Sequence, residues 1–268
     1  MDNLIVVRGG GDLATGTIHR LWSAGFKILV LEAEHPAAIR RQVSLCEAVY
    51  EGHATVEGLT AVLIQDVGRM EDVWAEGKVP MIVDPEGRCL EKVKPAVLVD
   101  AIIAKKNLGT NRAMAPTTIA LGPGFTAGVD VDVVIETSRG HNLGRVIKCG
   151  TAKPNTGKPG MIGGYDVERV IHSPARGILH NIHTIADLVE PGEDIAYIET
   201  ENGKVMVKAT IPGIIRGLIR DGYPVTKGFK IADIDPRQEE LQNCFTISDK
   251  ARSIAGSVLE QVCAALRK

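Results

Sequence analysis

Leu4-Ile5-Val6-Val7-Arg8-Gly9-Gly10-Gly11-Asp12-Leu13-Ala14 is the stretch that decides the fold class. It opens with an unbroken aliphatic run, the pattern of a strand covered on both faces. Glycines break the run. Leu13, Ile18, Leu21 and Trp22 then fall near one face of a helix that ends at Gly25. Lys27-Ile28-Leu29-Val30-Leu31-Glu32 is a second strand, which closes a β-α-β unit of about thirty residues with a right-handed crossover expected. Gly9-x-Gly11-x-x-Ala14 fits the dinucleotide fingerprint in its Gly/Ala form. Gly9 permits a tight turn, Gly11 lets a pyrophosphate approach the backbone, and Ala14 lets the helix pack closely on the strand. Free amides at the helix start would face the anion, with Gly9, Gly10, Gly11, Asp12 and Ala14 as its candidate site. Glu32 stands where an acid commonly binds a ribose 2′-hydroxyl, which favours an NAD-type or other ribose-phosphate ligand over one with a 2′-phosphate; Arg8 and Arg40 offset that preference. A doubly wound sheet whose loop binds nothing is the competing reading.

Working outward, Thr60 to Asp66, Val79 to Asp84 and Ala96 to Ala101 read as further strands. Asp66, Asp84 and Asp100 fall at their carboxyl ends, where an open α/β sheet binds ligands; capping the next turn is an equal use for each. With 268 residues the chain can bury a sizeable core and divide into domains. Only 4% of it is aromatic and the net charge is −2, so base-stacking platforms and a general field for nucleic acid or acidic membranes are not expected. The five cysteines, Cys46, Cys89, Cys149, Cys244 and Cys263, are odd in number and lack Cys-x-x-Cys spacing. They point to no disulfide framework, no metal site and a reducing cytoplasm. Met1 to Val7 reads as the lead into a strand and not as a signal peptide, and the longest apolar runs are too short to span a bilayer.

The middle of the chain carries a second glycine loop, Gly122-Pro123-Gly124-Phe125-Thr126-Ala127-Gly128, between the strands Ile119–Leu121 and Asp132–Thr137. Glu136, Arg139, His141 and Arg145 follow within ten residues. Two arginines beside a glycine loop suit an anion, phosphate or carboxylate; ion pairing of these arginines with Glu136 and Asp132 is the alternative. His141 is a weak acid/base candidate, set against an ordinary turn histidine. Val146–Cys149 is a further strand, and Ala152 to Tyr165 is a glycine- and proline-rich surface loop in which Gly157-Lys158-Pro159 is no Walker A.

Gly177 to Ile198 aligns without a gap on Gly213 to Ile234, a shift of 36 residues that also pairs Val189 with Val225, Gly192 with Gly228 and Ile195 with Ile231. Two hairpin copies of this kind suggest a pseudo-twofold β-sandwich of interlocked halves, similar to biotinyl and lipoyl barrel-sandwich domains. The hairpin between the halves, Ile198 to Val205, lacks a Met-Lys-Met attachment sequence, so Lys204 is read as an ordinary turn lysine without covalent biotin or lipoate. Ser248 or Asp249 caps a final helix with the apolar stripe Ala251, Ile254, Ala255, Val258, Leu259, Val262 and Leu266. The expected architecture is α/β. A Rossmann-like N-terminal parallel sheet spans 1–110, a mixed glycine-loop segment 111–170, a barrel-sandwich-like module 171–236 and a helical extension 237–268.

Val6 to Gly16, Glu47-Ala48-Val49-Tyr50, Gly122 to Phe125, Arg139 to Ile147 and Asn155 to Tyr165 together resemble the YqeB family of the selenium-dependent molybdenum hydroxylase system. The resemblance covers nearly the whole chain. It implies a cytoplasmic accessory protein acting beside a molybdenum hydroxylase, with a distant relation to the sulfurylation chaperones of xanthine dehydrogenase; it supplies no catalytic residue. Three functions follow as expectations. The first is a maturation factor that binds a nucleotide or nucleotide-bearing molybdenum cofactor on Gly9–Ala14, holds a second anionic group with Gly122, Gly124, Arg139 and Arg145, and docks a hydroxylase or a homo-dimer mate. The second is an NAD-dependent oxidoreductase using His141. The third is a docking scaffold with no ligand.

Overall fold

The computed structural model describes residues 3–155, 157 and 160–267. The aliphatic runs of the first half become strands β1 (Leu4–Arg8), β2 (Lys27–Glu32), β3 (His53–Val56), β4 (Leu59–Leu63), β5 (Val79–Val83), β6 (Val97–Asp100) and β7 (Thr117–Leu121). A small ribbon pairs β8 (Thr126–Ala127) with β11 (Gly150–Thr151), and β9 (Val133–Ile135) and β10 (Val146–Ile147) lie between these two in sequence. All but the ribbon form one nine-stranded sheet ordered β10-β9-β7-β6-β1-β2-β5-β4-β3. β1, β2, β4, β5, β6, β7 and β9 run parallel, and only the edge strands β3 and β10 run antiparallel to their neighbours. Leu4 to Val7 are at most 1% exposed, which is why β1 shows no polar alternation.

Parallel pairing brings the carboxyl ends of seven strands to one edge of the sheet. The turns at Gly9, Glu32, Asp84, Asp100, Gly122 and Glu136 therefore share that edge. The chain leaves β1 for β2 on one side and later returns to β6 on the other, so the strand order reverses beside β1. Open α/β sheets have a crevice at such a point.

Helix α1 (Asp12–Ser23) buries Ala14, Ile18 and Leu21. The short helices α2 (Ala48–Glu51), α3 (Met70–Ala75) and α4 (Leu90–Val93) lie in the connections. The final helix, α5 (Asp249–Leu266), starts as its sequence predicts: the Ala251 amide donates to Ser248 Oγ at 3.2 Å, and Ile254, Ala255, Val258 and Val262 are buried. It packs against α1, where a Cβ on Gly16 would lie 2.7 Å from the Ala251 Cβ.

The chain divides into two compact units. The first holds Met1–Pro36, Ser44–Thr156 and Ile247–Lys268, the second Ala37–Val43 and Gly157–Thr246. The expected four-part division thus gives way to two units. The middle segment contributes β7, β9 and β10 to the sheet of β1, and the C-terminal helix joins the same unit. Of the loop expected from Ala152 to Tyr165, Thr156, Lys158 and Pro159 lie outside the described residues.

The second unit contains β12 (Val170–His172), β13 (Gly177–Asn181), β14 (Leu188–Val189), β15 (Asp194–Thr200), β16 (Gly203–Lys208), β17 (Gly213–Leu218), β18 (Pro224–Val225) and β19 (Lys230–Asp235). They form two antiparallel sheets, β12-β19-β17-β14 and β16-β15-β13-β18. The 36-residue repeat extends to all four strands of each copy, because Ile171 pairs with Ala232 as Val207 pairs with Ala196. The copies exchange two strands each: β12 and β14 of the first flank β19 and β17 of the second, and β16 and β18 of the second flank β15 and β13 of the first. Leu179, Ile198, Ile214, Ile215 and Ile234, from both sheets, belong to one apolar cluster. Among the described residues no sheet closes into a barrel. No described helix is long and apolar enough to cross a membrane.

Gly177 and Gly213 occupy equivalent places in the two copies. A Cβ on either would collide with a carbonyl oxygen, that of Glu199 or that of Asp235, itself an equivalent pair. Gly177→Ala and Gly213→Ala are each expected to destabilise the fold by more than about 2 kcal/mol. Gly256→Ala, in open space on α5, is expected to stabilise it by about 0.5–1 kcal/mol. Denaturant titration of the three variants checks both signs, and a Gly177→Ala protein as stable as the parent would refute the close approach.

Candidate functional site

Each glycine of the first turn has its own surroundings. Gly9 takes φ +98° and donates its amide to the Leu31 carbonyl at 2.8 Å. A Cβ there would lie 3.1 Å from the backbone of Ala101 and Ile102. Gly10 faces Met81 Cε at 2.9 Å and the Cys46 amide nitrogen at 3.0 Å, measured from its would-be Cβ, and its carbonyl accepts from the Cys46 amide at 2.9 Å. These two glycines are required by the protein's own backbone. Gly11 differs: nothing lies within 4 Å of its would-be Cβ. It is the N-cap residue of α1 at φ −68°, with no side-chain cap hydrogen bond. The first amides of a helix have no acceptor within it, so the open space at Gly11 adjoins donors that suit an anion.

Glu32 sits on this turn. Its Oε2 accepts from the Gly10 amide and its Oε1 from the Ala33 amide, both at 2.7 Å. Burial raises its pKa against the opposing effect of those two bonds. The Gly10 amide is thus taken by the acid expected to bind a ribose. Ala14 is buried, as close helix–sheet packing needs. Cys46 is buried beside the turn, and burial first, then the charges of Glu32, Glu47 and Asp12, push its thiol far above its usual range. Arg8 is 2% exposed and donates to Thr110 Oγ1 and the Pro85 carbonyl, with Asp100 at 3.8 Å. Arg40 belongs to the second unit and donates to the carbonyls of Asn243 and Thr246. The strand-end acids cap turns. Asp66 accepts from the Gly68 amide. Asp84 accepts from the amides of Arg88 and Cys89, which outweigh burial and hold its carboxyl below the ordinary range. Asp100 accepts from Thr110 Oγ1 and the Ile102 amide, and burial pushes it up.

The second glycine turn is also shaped by close approach. Gly122 has φ +80° and Gly124 φ +110°, and a Cβ on Gly124 would come within 2.7 Å of the Lys106 backbone. Arg139 makes a two-pronged ion pair with Asp249, at 2.7 and 3.0 Å, in place of the expected Glu136 or Asp132. Glu136 is buried and accepts from the amides of Ser138 and Lys153. Asp132 holds Arg112. Arg145 and His141 are exposed in the turn after β9, and the Arg145 guanidinium has no partner among the described residues. In the hairpin joining the two repeats, the Lys204 ammonium lies 4.1 Å from the centre of the Tyr197 ring. Among the described residues no group of three or more His, Cys, Asp or Glu could hold a metal ion.

The turn after β6, from Ala101 to Thr110, is marked by no recognised motif in the sequence. It touches both glycine turns and carries Lys105 and Lys106, both exposed. A Lys-Lys doublet a few residues beyond a strand ending in Asp100 was the available signal.

A parallel-cored α/β sheet with an uncapped helix at its switch point defines the class of protein. The chain is 50% identical over 258 residues to a protein of Escherichia coli strain K12 described as "Uncharacterized protein YqeB", a match covering 96% of this chain and 47% of that protein. Identity of that extent supports the resemblance to the YqeB family, and the chain spans about half the length of the curated relative it matches. No family model matches the chain. Among solved structures, the apo form of the ectoine utilization protein EutE (DoeB) from Ruegeria pomeroyi is 9% identical with a TM-score of 0.28, covering 86% of this chain and 85% of that one. A succinylglutamate desuccinylase/aspartoacylase from Rhodobacter sphaeroides is 12% identical with a TM-score of 0.30, covering 87% and 84%. At such scores neither structure informs the activity of this chain.

Two measurements probe the site's surroundings. Burial pushes the Cys89 thiol up to about 12, with Asp84 beside it, while Cys149 is exposed. Iodoacetamide at mildly alkaline pH is expected to alkylate Cys149 first and to spare Cys46 and Cys89 until the protein unfolds; prompt labelling of Cys46 would contradict this packing. The Asp132 carboxyl, although partly buried, is held below the ordinary range by the Thr118 amide and hydroxyl and by Arg112. A depressed folded-state pKa gives stability that is present above the unfolded value and lost as pH falls. Asp132→Asn is therefore expected to be about 1–2 kcal/mol less stable than the parent above about pH 5, with the gap closing towards about pH 2. A gap independent of pH in urea titrations would sink the assignment.

Proposed function

We propose that this chain is an accessory protein of selenium-dependent molybdenum hydroxylases that binds a nucleotide, or the nucleotide part of a molybdenum cofactor, at the turn between β1 and α1. The observation that carries this reading is Gly11: open space at the start of an uncapped helix, at the point where the strand order reverses. In this Rossmann-like arrangement a phosphate approaches Gly11 and the amides of the first turn of α1, with the helix dipole favouring its charge. Glu32, held beside Gly10, keeps unused lone pairs on each carboxylate oxygen for a ribose hydroxyl and repels a 2′-phosphate, which suits an NAD-type ligand. Arg145, exposed in the turn after β9, is a cation for a further anionic group.

The link to the hydroxylase system rests on the YqeB resemblance. In this reading the second unit is a barrel-sandwich-like docking module for a molybdenum hydroxylase or a homo-dimer mate. Its exposed Ile178, Ile182, Leu188 and Met206 suit that use.

Gly11→Asp separates binding from folding. The backbone at Gly11 suits an aspartate, and its carboxylate would cap α1 and complement the dipole, so thermal stability should hold or rise slightly. The same carboxylate would occupy the anion's place. Calorimetric titration with NAD and ADP should show affinity falling by more than about tenfold. Undiminished affinity in a folded Gly11→Asp protein would reject the turn's role.

A further inference from the structure

We infer that Lys105 and Lys106, on the turn after β6, clamp the phosphate groups of the ligand at the β1–α1 turn; this deepens the proposed function and rests on it. The switch point lies between β1 and β6, and the turn that leaves β6 touches both glycine turns. Gly9 lies against Ala101 and Ile102, and Gly124 lies against Lys105 and Lys106, each closely enough that a Cβ would meet backbone. The two glycine turns thus fix the path of this segment from opposite ends.

Its base is tied down. Asp100 accepts from the Ile102 amide at 3.1 Å and from Thr110 Oγ1 at 2.6 Å. Asn107 donates to the Thr110 carbonyl and accepts from the Gly109 amide, both at 2.8 Å. Between these anchors Ile103 and Lys105 adopt left-handed backbone, at φ +59° and +62°. A β-branched residue there is unfavourable by itself and persists where its neighbours hold it. Two left-handed residues bend the chain sharply and leave Lys105 and Lys106 at the surface of the turn.

The charges complete the case. Arg8 is turned inward onto Thr110, Pro85 and Asp100, and Arg139 is engaged by Asp249. Lys105 and Lys106 are exposed, and neither has a carboxylate or hydrogen-bond partner among the described residues. Two unpaired ammonium groups, on a segment anchored at the edge where this sheet class binds ligands, suit a diphosphate.

The test uses the full chain with four probes: inorganic pyrophosphate, ADP, NAD and adenosine. In the Lys105→Gln/Lys106→Gln variant, affinity for pyrophosphate, ADP and NAD should fall by more than about tenfold and lose most of its dependence on salt. Adenosine affinity should be unchanged, and Lys105→Arg/Lys106→Arg should bind as the parent does. Circular dichroism and thermal melts verify that the variants fold. Nucleotide affinity that survives the glutamine variant would overturn the clamp and leave the proposed function standing. Equal loss of adenosine would also overturn it, by showing that the lysines only shape the turn. Pyrophosphate bound by the parent and lost in the variant, with no nucleotide bound by either, would keep the clamp and remove the proposed function. A parent that binds none of the four probes would end both.

Discussion

The parallel pairing of β1 with β2 on one side and β6 on the other is the constraint on which the first unit depends. A strand hydrogen-bonded along both edges and covered on both faces has to be apolar throughout, and Leu4 to Val7 are. Parallel neighbours also force every strand to end in the same direction. That geometry gathers turns that lie more than a hundred residues apart in sequence, from Gly9 to Glu136, at one edge of the sheet. Every candidate group in this unit owes its place to that arrangement.

At this edge the polar groups largely satisfy one another. Arg8, Asp100 and Thr110 form a buried set, Asp84 caps the next turn, and Glu32 takes the Gly10 amide. Burial makes each of these bonds worth having, because an unpaired charge or amide in such a place costs far more than one in water. Gly11 and the two lysines of the turn after β6 stand apart from this internal pairing, and the functional reading is built on them.

The second unit solves a different problem. Each four-stranded copy of the repeat is too small to bury its own apolar side chains, and the exchange of β12 and β14 for β16 and β18 makes each copy part of the other's sheet. Gly177 and Gly213 mark the same close approach in both copies. The duplication is therefore built into the packing as well as into the sequence.

Much of the architecture was legible in the chain alone. The aliphatic runs, the helix after Gly11, the Ser248 cap and the 36-residue repeat are local or periodic signals, set by backbone sterics and by the spacing at which side chains share a face. The β-α-β unit and the positions of Glu32, Gly122 and Glu136 at strand ends followed from them. Only the tertiary structure decided what each polar group does there. It turned Arg8 inward, gave Arg139 to Asp249 in place of Glu136 or Asp132, set Glu32 on Gly10, carried α5 back to α1 and made the turn at Lys105 and Lys106 a neighbour of both glycine loops. Those outcomes depend on contacts between residues distant in sequence, where burial and pairing choose a partner that no local pattern specifies.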